Sequence, residues 1–249
     1  MQPFMLDGKT ILITGASSGI GKGIALACAD AGARCVLVAR NRERLQETLS
    51  LCRGENHIVE IADLSDERSL QELVARLPEV DGLVQCAGVS DNHTPLKFIT
   101  AEFFDRLVTV NVKAPVLLLA MMDKKKLIRK GGSVVLMSSI SSFRAAPAHS
   151  LYCLSKGALT AFVKAAALDL AGKKIRVNAI APGMVNTPMI DFSSITEDQL
   201  EADMAKYPLK RYGEPSDIAG AAIYLLSDAS SWVTGQQFVI DGGVTIRAG

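Results

Sequence analysis

Short apolar runs alternate with longer amphipathic stretches along the whole chain. The runs at residues 10–13, 33–39, 57–62, 83–86, 133–137, 175–180 and 237–240 have the length and composition of strands, and 33–39 suits a buried parallel strand. Helical periodicity fills the gaps between them. It starts within 23–28, covers 42–51 behind a capping Asn41, and covers 65–77 behind Ser65. A stretch from 100 to 119 follows, with a break or new start near Lys113-Ala114 because of Pro115. A long helix then runs from His149-Ser150 to about Ala171-Gly172, and another covers 215–226. Asp81-Gly82 reads as a turn before the fourth strand, and Gly131-Gly132 as a stop before the fifth. Residues 186–212 form the longest irregular insertion, with a weak helical pattern at 197–205. Strand and helix joined by short connections predict an α/β fold, a parallel sheet wound with helices on both faces. No linker or repeat interrupts the alternation, so 1–249 is read as one domain.

Composition narrows the class. Of 249 residues, 49% are hydrophobic, enough for a full core. Lys plus Arg number 27 against 26 for Asp plus Glu, a formal charge of +1, so no basic field exists to offset nucleic-acid phosphates. No apolar run reaches spanning length and no signal peptide precedes the first strand, which argues against membrane insertion and for a cytoplasmic protein. The five cysteines show no metal-ligand spacing and read as reduced thiols, and no metal is expected.

The stretch Thr14-Gly15-Ala16-Ser17-Ser18-Gly19-Ile20-Gly21 joins the first strand to the first helix. Strand, glycine-rich turn and helix N-terminus make an anion site: Gly15 takes the tight turn, Gly19 lets backbone approach a pyrophosphate, and Gly21 lets helix pack on sheet. Tyr152 and Lys156 are four apart on one predicted helix, so they share a face. A free phenol has a pKa near ~10, and a nearby ammonium lowers it toward exchange with an alcohol or carbonyl. A surface pair at helical spacing reads the same way. Ser139 stands at the C-terminal end of the fifth strand, where open α/β sheets put ligand groups, or else simply turns the loop. Asn111 is a relay candidate or an interior hydrogen-bonding residue.

Gly15-x3-Gly19-x-Gly21, Asn111, Ser139, Tyr152-x3-Lys156 and Pro182-Gly183-x3-Thr187 occur in that order. Together they closely resemble the short-chain dehydrogenase/reductase family over essentially the whole chain. The resemblance implies a doubly wound (Rossmann) sheet of about seven strands, a nicotinamide cofactor and a catalytic tetrad. In it Tyr152 is acid/base, Ser139 holds the substrate oxygen, Lys156 tunes the tyrosine and binds the nicotinamide ribose, and Asn111 holds a relay water. The implied cofactor set is Gly15, Ser17, Ser18, Gly19, Ile20 and Gly21, then Arg40, Asp63, Leu64, Ala87 and Gly88. Tyr152, Lys156, Pro182, Gly183, Val185 and Thr187 complete it. One position departs from the pattern: the family's Asn-Ala-Gly is Cys86-Ala87-Gly88, which keeps the turn glycine and loses the asparagine's hydrogen bonds.

Charge speaks to the choice of cofactor. An NAD site puts an acid at the end of the second strand; here Ala39 is followed by Arg40, with Arg42 close by. A guanidinium suits a 2′-phosphate, so NADP(H) is expected. Ser139, Ser141, Tyr152 and Met184 are expected to touch substrate, with Ala146, Pro147, His149 and 187–212 around them. The nearest likeness is to 3-oxoacyl-acyl-carrier-protein reductases, shared with sugar, polyol and steroid dehydrogenases. Lys124–Lys130 and Lys173-Lys174 would serve as docking charges for an acidic carrier, or as solvated helix ends. Surplus apolar residues on the helices at 113–127 and 152–170 (Leu117, Leu118, Met121, Phe162 and Ala166) suggest an oligomer, and the likeness suggests a homotetramer. The rival from another class, an NADP-binding regulator, should lack a tetrad member.

Overall fold

A computed structural model describes residues 4–90, 93–190 and 196–246. Seven parallel strands, β1 (Thr10–Thr14), β2 (Arg34–Ala39), β3 (Ile58–Ile61), β4 (Val80–Gln85), β5 (Ile128–Met137), β6 (Arg176–Pro182) and β7 (Gln237–Ile240), form one sheet in the order β3-β2-β1-β4-β5-β6-β7. The order reverses between β1 and β4, where Thr14 pairs Gln85, and this opens a crevice at the strands' C-terminal ends.

Successive side chains along each strand face opposite layers, so two cores form. Leu12, Val36, Val38, Leu83, Val134 and Leu136 pack with α3 (Glu67–Arg76), α5 (Ala114–Lys124) and α6 (Ser150–Leu170). Ile11, Ile13, Leu37, Val84 and Val135 pack with α1 (Gly19–Asp30), α2 (Arg42–Leu51) and α8 (Pro215–Leu226). The remaining helices are α4 (Ala101–Val108) and α7 (Glu197–Met204). From Ser150 to Lys173 the chain is long and apolar enough to cross a membrane, but Leu159, Val163 and Ala167 on it pack on the sheet.

Several local expectations are corrected. Asp81-Gly82 lies inside β4, because Asp81 accepts from the Thr10 N–H at 2.8 Å and from Arg129 at 2.8 Å. Gly131-Gly132 bulges within β5 instead of stopping the chain: Gly131 has φ +87°, and a Cβ on Gly132 would meet Asp81 O at 2.9 Å. The cap of α3 is Asp66, not Ser65, whose N–H and hydroxyl both go to Asp63. Of the two readings at Pro115 the new start holds: helix continues from α4 through a π-turn at Thr109–Lys113 into α5, and Pro115 falls in its first turn. Leu118 and Ala166 belong to the core, and Leu117, Met121 and Phe162 pack half-buried against it. On α4 and α6 the exposed large apolar side chains are instead Phe104, Leu154 and Leu168. Of the basic residues considered for docking, Lys173 is paired with Asp123 and Arg129 with Asp81.

Candidate active site

The crevice at the sheet's C-terminal edge is a cavity of about 1530 Å³. Every residue of the expected cofactor set lines it, as do Ser139, Ser141, Ala146, Pro147, His149 and Met184, but only part of 187–212 does; Asn111 stands behind Gly88. At one end, Gly15 takes a left-handed φ of +69°, and a Cβ there would sit 2.8 Å from Ala87 N. A Cβ on Gly21 would lie 2.2 Å from Gly15 O, so only glycine lets α1 close on the turn. Ser18 caps α1 in extended conformation without a side-chain bond, and no acid stands in its first turn. The N–H groups of α1 therefore face the cavity, whereas Asn41, Asp66, Thr100 and Thr196 cap their own helices. The Ala87 N–H donates to Thr14 Oγ1 at 3.3 Å, which ties Cys86-Ala87-Gly88 to β1. Burial pushes the Cys86 thiol up to about 12, with Lys156 opposing, so it stays protonated.

Arg40 lines this end beside Asp63. Burial draws the Asp63 carboxyl up, but the Ser65 hydroxyl and N–H, aided by Arg40, hold it below its ordinary value. The second arginine here is Arg44, not Arg42. Asn41 Oδ1 accepts from Arg44 N at 2.8 Å, and the first turn this fixes puts Arg44 on the cavity wall and Arg42 off it.

Midway, β5 ends in two serines with different fates. Ser138 Oγ is spent on Lys156 O (3.2 Å) and Thr160 Oγ1 (3.0 Å) of α6. Ser139 faces the other way; its Oγ accepts from Ser141 N at 3.1 Å beside the cavity. Tyr152 and Lys156 sit one turn apart on α6, with Lys156 Nζ 5.4 Å from the phenol centroid. Lys156 is 5% exposed, and its ammonium donates to Met137 O at 2.9 Å. Burial pushes its pKa down to about 8. Asn111, in the π-turn, accepts from Val89 N (2.8 Å) and donates to Val89 O (2.9 Å) and Ser155 Oγ (3.2 Å). Its amide thus clamps the strand exit at Val89, a partnership that spacing alone did not show.

The far end is built from three distant segments. His149 lies beside His93, ring centroids 4.1 Å apart, and 6.2 Å from the Tyr152 ring. Asp203 accepts from Tyr212 Oη at 2.6 Å and from Lys206 at 2.8 Å, and Tyr207 meets Tyr212 edge to face. Arg144 donates to Val244 O at 2.6 Å. His93, Arg144 and Val244 carried no sequence signal, since nothing local relates them to Tyr152. Residues 191–195 of the expected substrate segment lie outside the described residues.

A doubly wound sheet with a glycine cradle at its switch point and a Tyr-Lys-Ser group beside it defines a nucleotide-dependent oxidoreductase. A family model described as enoyl-(acyl carrier protein) reductase matches residues 15–245. The chain belongs to the short-chain dehydrogenase/reductase family, whose members use a nicotinamide cofactor and act on alcohols and ketones. It is 34% identical to a 3-oxoacyl-[acyl-carrier-protein] reductase of Rickettsia felis, over 96% of this chain and 98% of that one. It is 36% identical to L-xylulose reductase of Caenorhabditis elegans, over 94% and 95%. A structure of a candidate 2-deoxy-D-gluconate 3-dehydrogenase from Agrobacterium tumefaciens with bound NADP superposes with a TM-score of 0.89 at 30% identity, over 99% and 100%. The residues present fit a dinucleotide: the tight turn that only glycine allows at Gly15 and Gly21, and the uncapped α1 N-terminus it leaves facing the cavity, suit a pyrophosphate.

Proposed function

We propose that this chain is an NADP(H)-dependent oxidoreductase that reduces a 3-oxoacyl thioester, with Tyr152 as acid/base and the whole of 1–249 serving as one domain for both sites. The observation that carries the reading is the convergence of Tyr152, Ser139 and the buried Lys156 on one wall, between the glycine cradle and the far end. When bound, the nicotinamide supplies hydride to the carbonyl carbon. The chain does the rest. Tyr152 Oη gives its proton to the carbonyl oxygen, and the Lys156 ammonium stabilises the phenolate left behind. Ser139 Oγ donates to the same oxygen and orients the carbonyl. Lys156 also holds the nicotinamide ribose, and Asn111 acts as a positioning residue by fixing Val89.

Arg40, with Arg44, would pair with a 2′-phosphate; the absence of an acid at Ala39 supports NADP over NAD. Asp63 and Leu64 would border the adenine, and Pro182, Gly183, Val185 and Thr187 the nicotinamide. Exposed Phe104, Leu154 and Leu168 support assembly, for which a homotetramer in the cytoplasm is the proposal. A second reading, a sugar or polyol substrate, is favoured by the polar far end, where Gln199, Asp203, Lys206 and Tyr212 line the cavity. A panel of 3-oxoacyl thioesters, ketoses and keto acids, followed by NADPH absorbance, separates the two. Turnover of acetoacetyl thioesters above all ketoses supports the first; failure of every carbonyl overturns both.

A further inference from the structure

We infer that Arg144 reads an oxyanion, a carboxylate or a phosphate, carried by the substrate away from its reacting carbonyl. The inference rests on the oxidoreductase reading above and names the substrate class of the same cavity.

Arg144 lies on the loop between Ser139 and Tyr152, so the chain that delivers the two reacting side chains also delivers this guanidinium to the cavity wall. One N–H, from Nη1, is fixed by Val244 O at 2.6 Å. A guanidinium has five donors in a rigid fork, so this bond orients the group and leaves most of the fork unspent. Among the described residues no carboxylate pairs with it. The anion that shares its end of the cavity, Asp203, is occupied by Lys206 and Tyr212. The carboxylate of Asp241, on the same tail as Val244, is turned to Gly243 N and to Thr245. Among the described residues the far end therefore presents an oriented cation with no carboxylate paired to it.

Of the cavity's other cations, Lys206 is paired with Asp203 and Lys156 stands midway with Tyr152 and Ser139, while Arg40 and Arg44 stand at the opposite end. Such a layout suits two anionic ligands laid end to end, with the reacting carbonyl in the middle. A wholly neutral ketone would leave the fork unmatched. A tie to Val244 alone needs one donor, which glutamine or lysine also provides. The planar fork is the feature that such a tie does not explain.

The test uses the full chain with NADPH and four probes in matched pairs. Acetoacetyl-coenzyme A carries phosphates, and S-acetoacetyl-N-acetylcysteamine is its neutral truncation. 5-Keto-D-gluconate carries a carboxylate, and L-xylulose is a neutral ketose. In Arg144→Gln, kcat/KM for one anionic probe should fall about ten- to thirty-fold, mostly through KM, as expected for a charge-assisted bond at a partly solvated site. Its neutral partner should stay within about twofold of the parent, since no ion pair is lost there. Arg144→Lys should recover part of the loss, and added salt should erode the parent's preference for the anionic probe. The probe that drops identifies the anion as phosphate or carboxylate. Equal losses on charged and neutral probes, or no loss on any, overturn the inference while leaving the oxidoreductase reading intact. Should the parent oxidise NADPH with none of the four, that earlier reading fails instead. Calorimetric titration of the NADPH complex with the two anionic probes then decides: binding that Arg144→Gln abolishes upholds the anion site, and unchanged or absent binding removes it.

Discussion

The two ends of the cavity are made in opposite ways. The cofactor end is built where neighbouring strands stop: Gly15 after β1, Arg40 after β2, Asp63 after β3 and Ala87 after β4 are brought together by the register of one sheet. Its tolerances are backbone tolerances, and a methyl group at Gly21 would collide with Gly15 O. The substrate end has no such frame. Loop 140–149, segment 197–212 and tail 241–246 meet there through side-chain bonds such as Tyr212–Asp203 and Arg144–Val244, and through the Leu209 N–H on Gly242 O at 3.3 Å. A rigid edge thus fixes the cofactor, while replaceable loops set the substrate.

That contrast can be broken or sharpened by experiment. The largest effect is expected between the ends. Tyr152→Phe should cut turnover by about 10²–10⁴-fold, the usual worth of a positioned acid, while NADPH binding stays normal by fluorescence titration. Substantial turnover by this variant would dissolve the proposed centre. Next, Ala39→Asp combined with Arg40→Ser should reverse cofactor preference by about ten- to a hundredfold, the scale of one charge-assisted bond, without changing KM for the carbonyl. A parent that already prefers NADH in steady-state kinetics would refute the charge argument.

A third outcome concerns pH. Burial lowers Lys156 from 10.5 to about 8, so the ammonium is present below that value and lost above it. NADPH affinity measured by titration should therefore weaken about tenfold per pH unit above ~8, provided the charge itself holds the ribose. Stability runs the other way. Between pH 8 and 10.5 the unfolded chain binds the extra proton, so the cost of burying the charge, about 3 kcal/mol, is full below 8 and relieved as pH rises. Lys156→Met should remove that rise from a denaturation series. The smallest effect belongs to the far end: Tyr212→Phe loses the bond to Asp203, and substrate KM should rise a few-fold, worth about 1 kcal/mol. An equal loss of NADPH affinity would mean that the two ends are coupled rather than separately built.

Much of the cofactor end was legible in the chain because its signals are local. A strand, three glycines at fixed spacing and a helix are contiguous, and Asn41 does cap α2 as its position implies. Tyr152 and Lys156 were legible for the same reason, since helical geometry alone puts residues four apart on one face. Misreadings arose where a partner far along the chain intervened. Asp81-Gly82 looks like a turn until Thr10 and Arg129 claim the aspartate. Leu118 and Ala166 look like surplus until the sheet covers them.

By itself, then, the sequence determined the alternation of strand and helix, the anion-binding turn, the missing acid after β2 and the Tyr-Lys pair, because each depends on residues within a few positions. Tertiary structure decided that Ser138 Oγ is spent on α6 and that Asn111 clamps Val89. It also decided that His93, Arg144, Tyr212 and Val244 share one end. These relations join residues from about 20 to 150 positions apart. No local preference encodes them; they exist only once the sheet and its two cores have paid the entropy of bringing the segments together.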